Sequence, residues 1–298
     1  VPCYNHGRVV GEAVNSILTQ TWQDAEILIV DDGSDQPETV RRLDRLQHPR
    51  TVVIRHERNR GLPAARNTGL RQARGRYVCC LDADDKLHPT YLEKALSLME
   101  SNLGIGFVYA WTQVFGEESR VWYAPQFDPE GLLDHNQLNP PAVFRRAAWE
   151  EVGGFREAMR DGYEDWEFWI RLAYHGYRGF RMPEKLIFVR REGESFIHRA
   201  AARQQELVQQ IKDLNPGIYQ DRSWLQDVLQ GYDAVYVDCP FLNLRASDAF
   251  RPLENPRLFV YQGGAGSSSG DFQRLARKLT GHEGQAVVVA LVPLEEEA

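Results

Sequence analysis

The acidic run Asp82-Ala83-Asp84-Asp85 holds the residues best suited to chemistry. Carboxylate oxygens are ligands that Mg²⁺ and Mn²⁺ prefer, and such a cation neutralises the charge that gathers on a departing diphosphate. Asp82 and Asp84 alternate along an extended segment, so the chain must bend before both carboxylates can belong to the ligand set of one metal ion. The run also fits an acidic loop in which Asp85 caps the next helix, since aspartate is a preferred cap. Both interpretations stay open for this run taken alone.

Three further features suit the binding of a nucleotide. Asp31 in Asp31-Asp32-Gly33-Ser34 could accept a hydrogen bond from a base N–H, because carboxylates only accept, although Asp and Gly also favour plain turns. Tyr4 could stack on a base or lie in the core. Arg66 could reach a base or a phosphate with its forked guanidinium, or lie on a solvated helix face.

The elements that would position these residues alternate along the chain. Apolar runs predict strands at 26–30, 51–54 and 76–81, and helical spacing predicts helices at 8–20, 37–46 and 62–73. Continuously apolar strands that are each followed by a helix are typical of a parallel sheet covered on both faces. Such sheets bind ligands at the carboxyl ends of their strands. If Val1 closes a strand that begins before it, Tyr4, Asp31 and Asp82 all follow strand ends and should converge at one sheet edge.

The remaining chain is less regular. Its patterns predict a hairpin at 107–123, helices at 143–152, 165–174 and 199–230, and a late strand at 186–189. From 256 onward, a strand, a glycine turn, a helix and a strand predict one βαβ unit. Such a unit cannot bury both faces of a sheet alone, so we interpret 256–298 as the opening of a second domain.

Composition excludes several classes of protein. Of the 298 residues, 43% are hydrophobic and 26% are charged, which is typical of a globular rather than a disordered chain. The net charge of -7 argues against non-specific binding of nucleic acid. No run of 18 apolar residues predicts a membrane span. The cysteines form no CxxC pair, and Cys79-Cys80 lie in an apolar run, which predicts buried free thiols and fits a reducing compartment.

Several motifs, in this order and spacing, resemble glycosyltransferase family 2. They are Val1-Pro2-Cys3-Tyr4-Asn5, Val30-Asp31-Asp32-Gly33-Ser34, Asn59-Arg60-Gly61 with Ala65-Arg66-Asn67, Leu81-Asp82-Ala83-Asp84-Asp85, Gly153-Gly154-Phe155 and Tyr163-Glu164-Asp165-Trp166. Motifs that agree in register are far more specific than any one of them. The resemblance covers roughly residues 1–200. It implies an inverting enzyme with the α/β GT-A fold, a Rossmann-like and mostly parallel sheet with helices on both faces.

The resemblance also implies roles for single residues. Nucleotide-sugar contacts are implied for Pro2, Tyr4, Asn5, Asp31, Asp32, Asn59, Arg66, Asp82 and Ala83. Within that set, Tyr4, Asp31 and Arg66 would surround the base, and Asp82 would lie at the ribose. Asp84 would hold a Mg²⁺ or Mn²⁺ ion. Asp165 would be the general base that deprotonates the acceptor hydroxyl, a reasonable role because direct displacement needs a carboxylate opposite the leaving group. Glu164 competes for that role, and Asp165 also fits a carboxylate placed at a helix N-terminus for the dipole.

One motif departs from the family pattern. The family often has Arg-Xaa-His-Xaa-Xaa-Ser after the last sheet strand, whereas this chain has Arg190-Arg191-Glu192-Gly193-Glu194-Ser195. Glu192 therefore stands where a histidine would contact the metal or the diphosphate. Glu192 could itself be a metal ligand, or the nearby His198 could substitute.

The sequence as a whole predicts a glycosyltransferase that moves a sugar from a nucleotide-diphosphate sugar, such as a UDP-sugar, to a hydroxyl on a glycan, lipid-linked or protein acceptor. A metal-dependent nucleotidyltransferase and a non-catalytic nucleotide-binding scaffold are the alternatives. We predict a GT-A domain at 1–200, a helical extension at 201–255 and the partial unit at 256–298, which resembles the start of a GT-B lobe. We expect a cytoplasmic location, at the inner face of a membrane, without nucleic-acid partners.

Overall fold

The computed structural model describes residues 1–193 and 196–230. The predicted βαβ unit at 256–298, the end of the predicted helical extension, Cys239 and the positions Glu194 and Ser195 lie outside the described residues.

The amino-terminal part forms a three-stranded parallel sheet. Its strands β1 (Pro2–Cys3), β2 (Ile27–Asp31) and β3 (Thr51–Arg55) lie side by side in that order. The helices α1 (Val10–Leu18), α2 (Pro37–Arg45) and α3 (Leu62–Gln72) follow them. The register pairs Cys3 with Asp31 and Asp31 with Arg55, so the carboxyl ends of the three strands are level. The predicted convergence of Tyr4-Asn5 and Asp31-Asp32 is therefore confirmed.

The second sheet is mixed and contains six strands. They are β4 (Tyr77–Cys79), β5 (Lys86–Leu87), β6 (Ile105–Gly116), β7 (Arg120–Trp122), β8 (Val143–Arg145) and β9 (Arg178–Arg191), in the order β4-β8-β6-β9-β5 with β7 on β6. The strand predicted at 76–81 is shorter, and it pairs antiparallel with β8 instead of joining the parallel sheet. The acidic run thus connects β4 to β5, both of which are anchored in this sheet.

Helices cover these sheets and complete the core. They are α4 (Tyr91–Ser101), α5 (Arg146–Glu151), α6 (Glu164–Tyr174), α7 (Phe196–Ala202), α8 (Gln204–Leu214), α9 (Pro216–Gln220) and α10 (Trp224–Gln230). The helix predicted at 143–152 is wrong for its first three residues, because their backbone pairs with β4 and β6 as β8. The hairpin is confirmed as β6 and β7, and the late strand is longer than predicted.

Helix α6 is the centre of the larger hydrophobic core. Its aromatic residues Phe168 and Trp169 are fully buried and pack against Phe144. Its buried charges are compensated, since the Arg171 Nε donates to Glu167 Oε1 at 2.7 Å. This burial on all sides fixes the position of the helix and of the carboxylates at its N-terminus.

The structure tests the predictions of buried free thiols and of a chain without a membrane span. Cys3 and Cys80 are buried, Cys79 is half-buried, and all three are free thiols as predicted. Burial raises the pKa of the Cys3 thiol to about 11, so it stays protonated at neutral pH. In the part of the chain that the structure describes, no helix has both the length and the apolar character needed to span a membrane.

Candidate active site

Asn5 joins the first polar segment to the second. Its backbone adopts a left-handed φ of 59°, and its N–H donates to the Ser34 Oγ at 3.0 Å. Its side-chain Oδ1 accepts from the N–H groups of Asp35 and Gln36 at 3.2 and 3.1 Å. Its Nδ2 also donates to Asp35 Oδ1 at 2.8 Å. Asn5 therefore shapes the loop after β2, and its direct contact with a nucleotide sugar stays a prediction.

Asp31 and Asp32 are both buried but have different partners. The Asp31 Oδ1 accepts from the Ser34 N–H at 3.0 Å, while its Oδ2 lies 3.8 Å from Arg55 Nε. Asp32 accepts from the N–H groups of Arg60 and Gly61 at 2.9 and 2.8 Å. Asp32 also lies 2.6 Å from the His56 Nδ1. It thus fastens the loop after β2 to the start of α3.

The other predicted nucleotide contacts are spread around this edge. Tyr4 is 40% exposed, so the alternative that places it in the core is wrong. Pro2 is half-buried and pairs with Val30 in the strand ladder. The half-buried Asn59 accepts from Arg160 Nη2 through its Oδ1 at 2.7 Å. Ala83 is buried in the acidic run. The ring of Tyr4 is thus an open apolar surface at the sheet edge.

The three aspartates of the acidic run have distinct partners. Asp82 Oδ1 accepts from Arg66 Nη2 at 2.9 Å. Asp85 is buried, and its Oδ1 accepts from the Arg190 N–H at 2.9 Å. The side chain of Asp84 is 31% exposed, and its Oδ2 lies 3.9 Å from the His6 Nδ1. Burial and the neighbouring Asp82 raise the pKa of Asp84, so bound positive charge would stabilise its ionised form. Asp84 is therefore the carboxylate of this run that can best take an external cation.

Arg66 lies inside the protein rather than on a helix surface. Its side chain is 0% exposed, and its Nη1 donates to Glu164 Oε1 at 2.5 Å while Nη2 contacts Asp82. Its guanidinium carbon also lies 5.5 Å from the centre of the Phe155 ring. The alternative of a solvated helix face is wrong. Arg66 joins the acidic run to the carboxylates of α6.

The adjacent Asn67 also contacts the segment before α6. Its Oδ1 accepts from the Phe155 N–H at 2.8 Å and from the Trp149 Nε1 at 3.2 Å. Its Nδ2 donates to the Phe155 carbonyl at 2.8 Å. The Ala65-Arg66-Asn67 and Gly153-Gly154-Phe155 motifs, far apart in sequence, are therefore in direct contact.

Glu164 and Asp165 occupy the first turn of α6. Burial raises the pKa of Glu164 to about 7, although Arg66 opposes that shift. Burial also raises the pKa of Asp165, opposed by Arg66 and by the Asn136 Nδ2, which donates to Asp165 Oδ2 at 3.0 Å. Among the described residues Glu164 has an ion pair with Arg66, whereas no ion pair involves Asp165. Which of the two carboxylates acts as the general base stays a prediction.

The donor atoms around Asp84 fit a divalent cation that takes some of its ligands from the protein and the others from a bound substrate. Within residues 1–193 and 196–230, no group of three or more His, Cys, Asp or Glu side chains could enclose a metal ion. Mg²⁺ in enzymes is commonly held by one or two carboxylates together with substrate phosphates and water. A site with one free carboxylate is therefore suited to a metal that arrives with a diphosphate.

The sequence model of the family described as "Glycosyl transferase family 2" matches residues 1–170, which is more than half of the chain. The chain belongs to glycosyl transferase family 2. The prediction of a glycosyltransferase from the motif order is thus confirmed.

Curated relatives agree with this family 2 assignment. The chain is 30% identical over 182 residues to a chondroitin synthase of Escherichia coli, a match that covers 59% of this chain and 26% of the relative. It is 28% identical over 179 residues to an uncharacterized glycosyltransferase of Methanocaldococcus jannaschii, covering 56% and 60%. It is 27% identical over 206 residues to the putative glycosyltransferase EpsE of Bacillus subtilis, covering 66% and 73%. The first two matches span less than two thirds of those relatives.

Solved structures share the fold of this chain. The 1-349 part of TarS of S. aureus, in complex with UDP-GlcNAc, superposes with a TM-score of 0.58 at 21% identity, a match that covers 66% of this chain and 59% of that chain. TarS with UDP gives 0.56 at 20% identity, covering 64% and 59%. The GT-A fold predicted for this family 2 chain is therefore confirmed.

The position that departs from the family 2 pattern is held by ion pairs. Arg190 Nη1 donates to Glu192 Oε1 at 2.8 Å, and Nη2 donates to Glu12 Oε2 at 2.8 Å. The Arg190 Nε also donates to the Asp84 carbonyl at 3.2 Å. Glu192 thus has a partner in Arg190, and His198 is exposed on α7. A contact of either residue with a metal stays a prediction.

Two residues near this family 2 site escaped the sequence analysis. Asn136 lies in a loop without any motif, so nothing in the sequence pointed to its contact with Asp165. His6 directly follows the Tyr4-Asn5 motif, but its approach to Asp84 depends on the folded position of the acidic run.

Proposed function

We propose that this family 2 enzyme transfers a sugar, with inversion, from a nucleotide-diphosphate sugar to a hydroxyl on a glycan, lipid-linked or protein acceptor. One observation supports this most strongly: Arg66 contacts both Asp82 in the acidic run and Glu164, the neighbour of Asp165. Asp82, which we propose binds the donor, and Glu164, the neighbour of the proposed base, thus contact the two terminal nitrogens of one buried guanidinium. An inverting displacement needs groups on the two sides of the reacting carbon.

The donor would bind along the carboxyl ends of β1, β2 and β4. The exposed ring of Tyr4 offers a stacking face for the base, and Asp31 offers a hydrogen-bond acceptor for a base N–H. Asp82, whose side chain is 28% exposed, would accept from the ribose hydroxyls through the oxygen that Arg66 leaves free. The complexes of TarS with UDP and UDP-GlcNAc support a uridine donor.

Asp84 would hold Mg²⁺ or Mn²⁺ against the donor diphosphate. The cation, when bound, would neutralise the charge on the leaving nucleoside diphosphate. Asp84 fits this role because its carboxylate is half-buried and costly to ionise without a nearby positive charge. Arg190 fixes the loop beneath it, through the Asp85 carboxylate and the Asp84 carbonyl.

Asp165 would act as the general base. Its raised pKa increases its affinity for the proton of the acceptor hydroxyl, which passes to the carboxylate as the oxygen attacks the anomeric carbon. The bond to the diphosphate oxygen breaks in the same step, and the nucleoside diphosphate leaves. The Asn136 amide keeps the Asp165 carboxylate oriented.

The pathway, cellular location and acceptor of this activity are also proposals. We place this activity in glycan or polysaccharide synthesis in the cytoplasm, at the inner face of a membrane. The 122–139 segment would select the acceptor, because it leads to Asn136 beside the base. We also propose that the GT-A domain ends at residue 200 and the helical extension at residue 255.

Nucleotide binding and sugar transfer test the proposed function. Wild-type protein should bind UDP more tightly with Mn²⁺ than with EDTA, by calorimetry, and should release UDP from one member of a panel of UDP-sugars. Asp84→Asn should remove the metal-dependent part of binding, whereas Asp165→Asn should retain UDP binding and lose transfer. Asp24→Asn is the matched control. Asp24 is exposed and precedes the amino end of β2, whereas the proposed site lies at the carboxyl end of that strand.

Three results would contradict parts of this proposal. Unchanged transfer by Asp84→Asn would reject the metal role of Asp84. Loss of UDP binding in Asp165→Asn would make Asp165 a structural residue. Release of pyrophosphate from a nucleoside triphosphate would favour a nucleotidyltransferase, and failure to bind any nucleoside diphosphate would favour a scaffold.

A further inference from the structure

Asp84 has an imidazole beside it that the family motifs do not include. The Nδ1 of His6 lies 3.9 Å from Asp84 Oδ2, and the two side chains are 46% and 31% exposed. The other aspartates of the run are committed to Arg66 and to the Arg190 backbone. His6 and Asp84 are thus an imidazole and a carboxylate, two side-chain types that can bind metals, and both remain accessible at the sheet edge.

The loop that carries His6 is fixed on both sides. The His6 carbonyl accepts from the N–H groups of Val9 and Val10 at 3.1 and 3.0 Å, at the start of α1. The next residue, Gly7, donates its N–H to Thr39 Oγ1 at 3.1 Å, and a Cβ at Gly7 would lie 2.5 Å from Thr39 Cα. The His6 backbone is therefore held in place between α1 and α2, which gives its ring a defined approach to Asp84.

The separation of the two side chains is within reach of two ligands of one ion. A divalent cation lies about 2.1 Å from a carboxylate oxygen or an imidazole nitrogen, so two ligand atoms can be at most about 4.2 Å apart. The observed 3.9 Å lies below that limit but above the roughly 3.0 Å that separates adjacent ligands of an octahedral ion, so a small rotation of either accessible side chain would bring both onto one cation. An exposed ion pair at this distance would add little stability, whereas a shared cation gives the arrangement a chemical purpose.

We propose that His6 is the second protein ligand of the divalent cation, binding it together with Asp84. This inference rests on the proposed function, since the cation is the one that accompanies the donor diphosphate. His6 thus supplies from the amino-terminal loop the nitrogen ligand that the family pattern has after the last strand, where this chain has Glu192 paired with Arg190.

The identity of the ligand has a consequence for metal preference. Imidazole nitrogen binds transition metals well, whereas Mg²⁺ prefers oxygen. The enzyme should therefore bind Mn²⁺ more tightly than Mg²⁺ in the presence of UDP. Replacement of His6 should weaken Mn²⁺ binding by about tenfold or more, as even outer-shell changes at metal sites do, and should leave Mg²⁺ binding within about twofold.

Pulsed electron paramagnetic resonance tests this inference without relying on activity. The full chain, labelled with ¹⁵N-histidine, is loaded with Mn²⁺ and UDP, and the nitrogen modulation of the Mn²⁺ signal is recorded. We expect a ¹⁵N coupling in the wild type that disappears in His6→Ala. His175→Ala is the matched control: His175 is exposed and follows the C-terminus of α6, about 15 Å along the helix from Asp165. It should retain both the coupling and the Mn²⁺ affinity.

The possible outcomes separate this inference from the proposed function. Metal-dependent UDP binding without a histidine coupling would overturn the role of His6 and leave the proposed function intact. A coupling that persists in His6→Ala would also overturn it, by assigning the signal to another histidine such as His198. If the wild type bound no Mn²⁺ with UDP, both the inference and the metal step of the proposed function would be rejected.

Discussion

The Nη2 of Arg66 lies 2.9 Å from the Oδ1 of Asp82, and the Arg66 side chain is 0% exposed. The same side chain pairs with Glu164, so one arginine serves carboxylates that are 82 positions apart in the sequence, at 82 and 164. Burial opposes the charge on Arg66, but Asp82 and Glu164 outweigh it and raise the pKa of the guanidinium. The arginine therefore remains charged and determines how the two sides of the site face each other.

Removal of Arg66 should destabilise the protein strongly. Arg66→Met leaves Glu164 buried without its counter-ion, and breaking a buried pair typically costs about 3–5 kcal/mol. Urea unfolding at pH 8 measures this loss. Arg42→Met is the matched control, because the exposed Arg42–Glu38 pair on α2 should contribute less than about 0.5 kcal/mol. Equal losses in the two variants would show that the buried bridge has no special weight.

Loss of the Asn136 amide should shift the pH dependence of transfer. Asn136 donates to Asp165 Oδ2, a bond that favours the ionised carboxylate, so Asn136→Ala should raise the pKa of Asp165 further. Since the base must be ionised, the rising limb of the kcat profile should move to higher pH by about one unit. Asn139→Ala is the control, because Asn139 donates to Thr112 instead. An unshifted limb in Asn136→Ala would exclude Asp165 as the titrating base.

The buried Glu164 should make stability fall as the pH rises. Its pKa is raised from 4.5 to about 7 in the folded protein, so between these values the folded state binds a proton that the unfolded state releases. The contribution of Glu164 is therefore full below about pH 4.5 and lost above about pH 7. Glu164→Gln cannot titrate, so the difference in unfolding free energy between this variant and the wild type should shift by on the order of 1–3 kcal/mol in favour of the variant between pH 5 and pH 8, whatever its value at pH 5. A difference that does not change with pH, measured by urea unfolding, would contradict this prediction.

Gly33 should not tolerate a side chain. Its φ is +71°, and a Cβ there would lie 2.5 Å from the backbone carbon of Arg58. Gly33→Ala should cost about 1–3 kcal/mol and weaken UDP binding, because the loop after β2 must move away from the loop that precedes α3. In contrast, Gly11 on α1 has open space around it, so Gly11→Ala should stabilise the protein by up to about 1 kcal/mol. Thermal unfolding of the two variants distinguishes these effects.

The sequence predicted most of the elements at the donor side, for a physical reason. β2 is apolar over Ile27–Val30 and buried on both faces, so its sequence pattern reports its structure directly. The strand after α3 was placed correctly but its partner was not. Pairing of β4 with β8 joins residues more than 60 positions apart, and nothing local in Tyr77–Cys79 encodes that choice.

The candidate site was predictable as a set of residues but not as a set of contacts. The order of the motifs indicated Asp82, Asp84 and Asp165 as candidate site residues. The partners of Arg66 could not be deduced, because an arginine on a helix has the same local pattern whether it faces solvent or a buried carboxylate. Asn136 was missed for a related reason, since its position depends on the path of a loop without periodicity.

The consecutive residues Arg66 and Asn67 on α3 also limit how this enzyme can be recombined. Arg66 contacts the acidic run and α6, and Asn67 contacts the backbone of Phe155. The two halves of the enzyme are therefore not independent modules. A chimera that takes its acceptor half from a relative must preserve the register of both contacts to keep its donor half aligned.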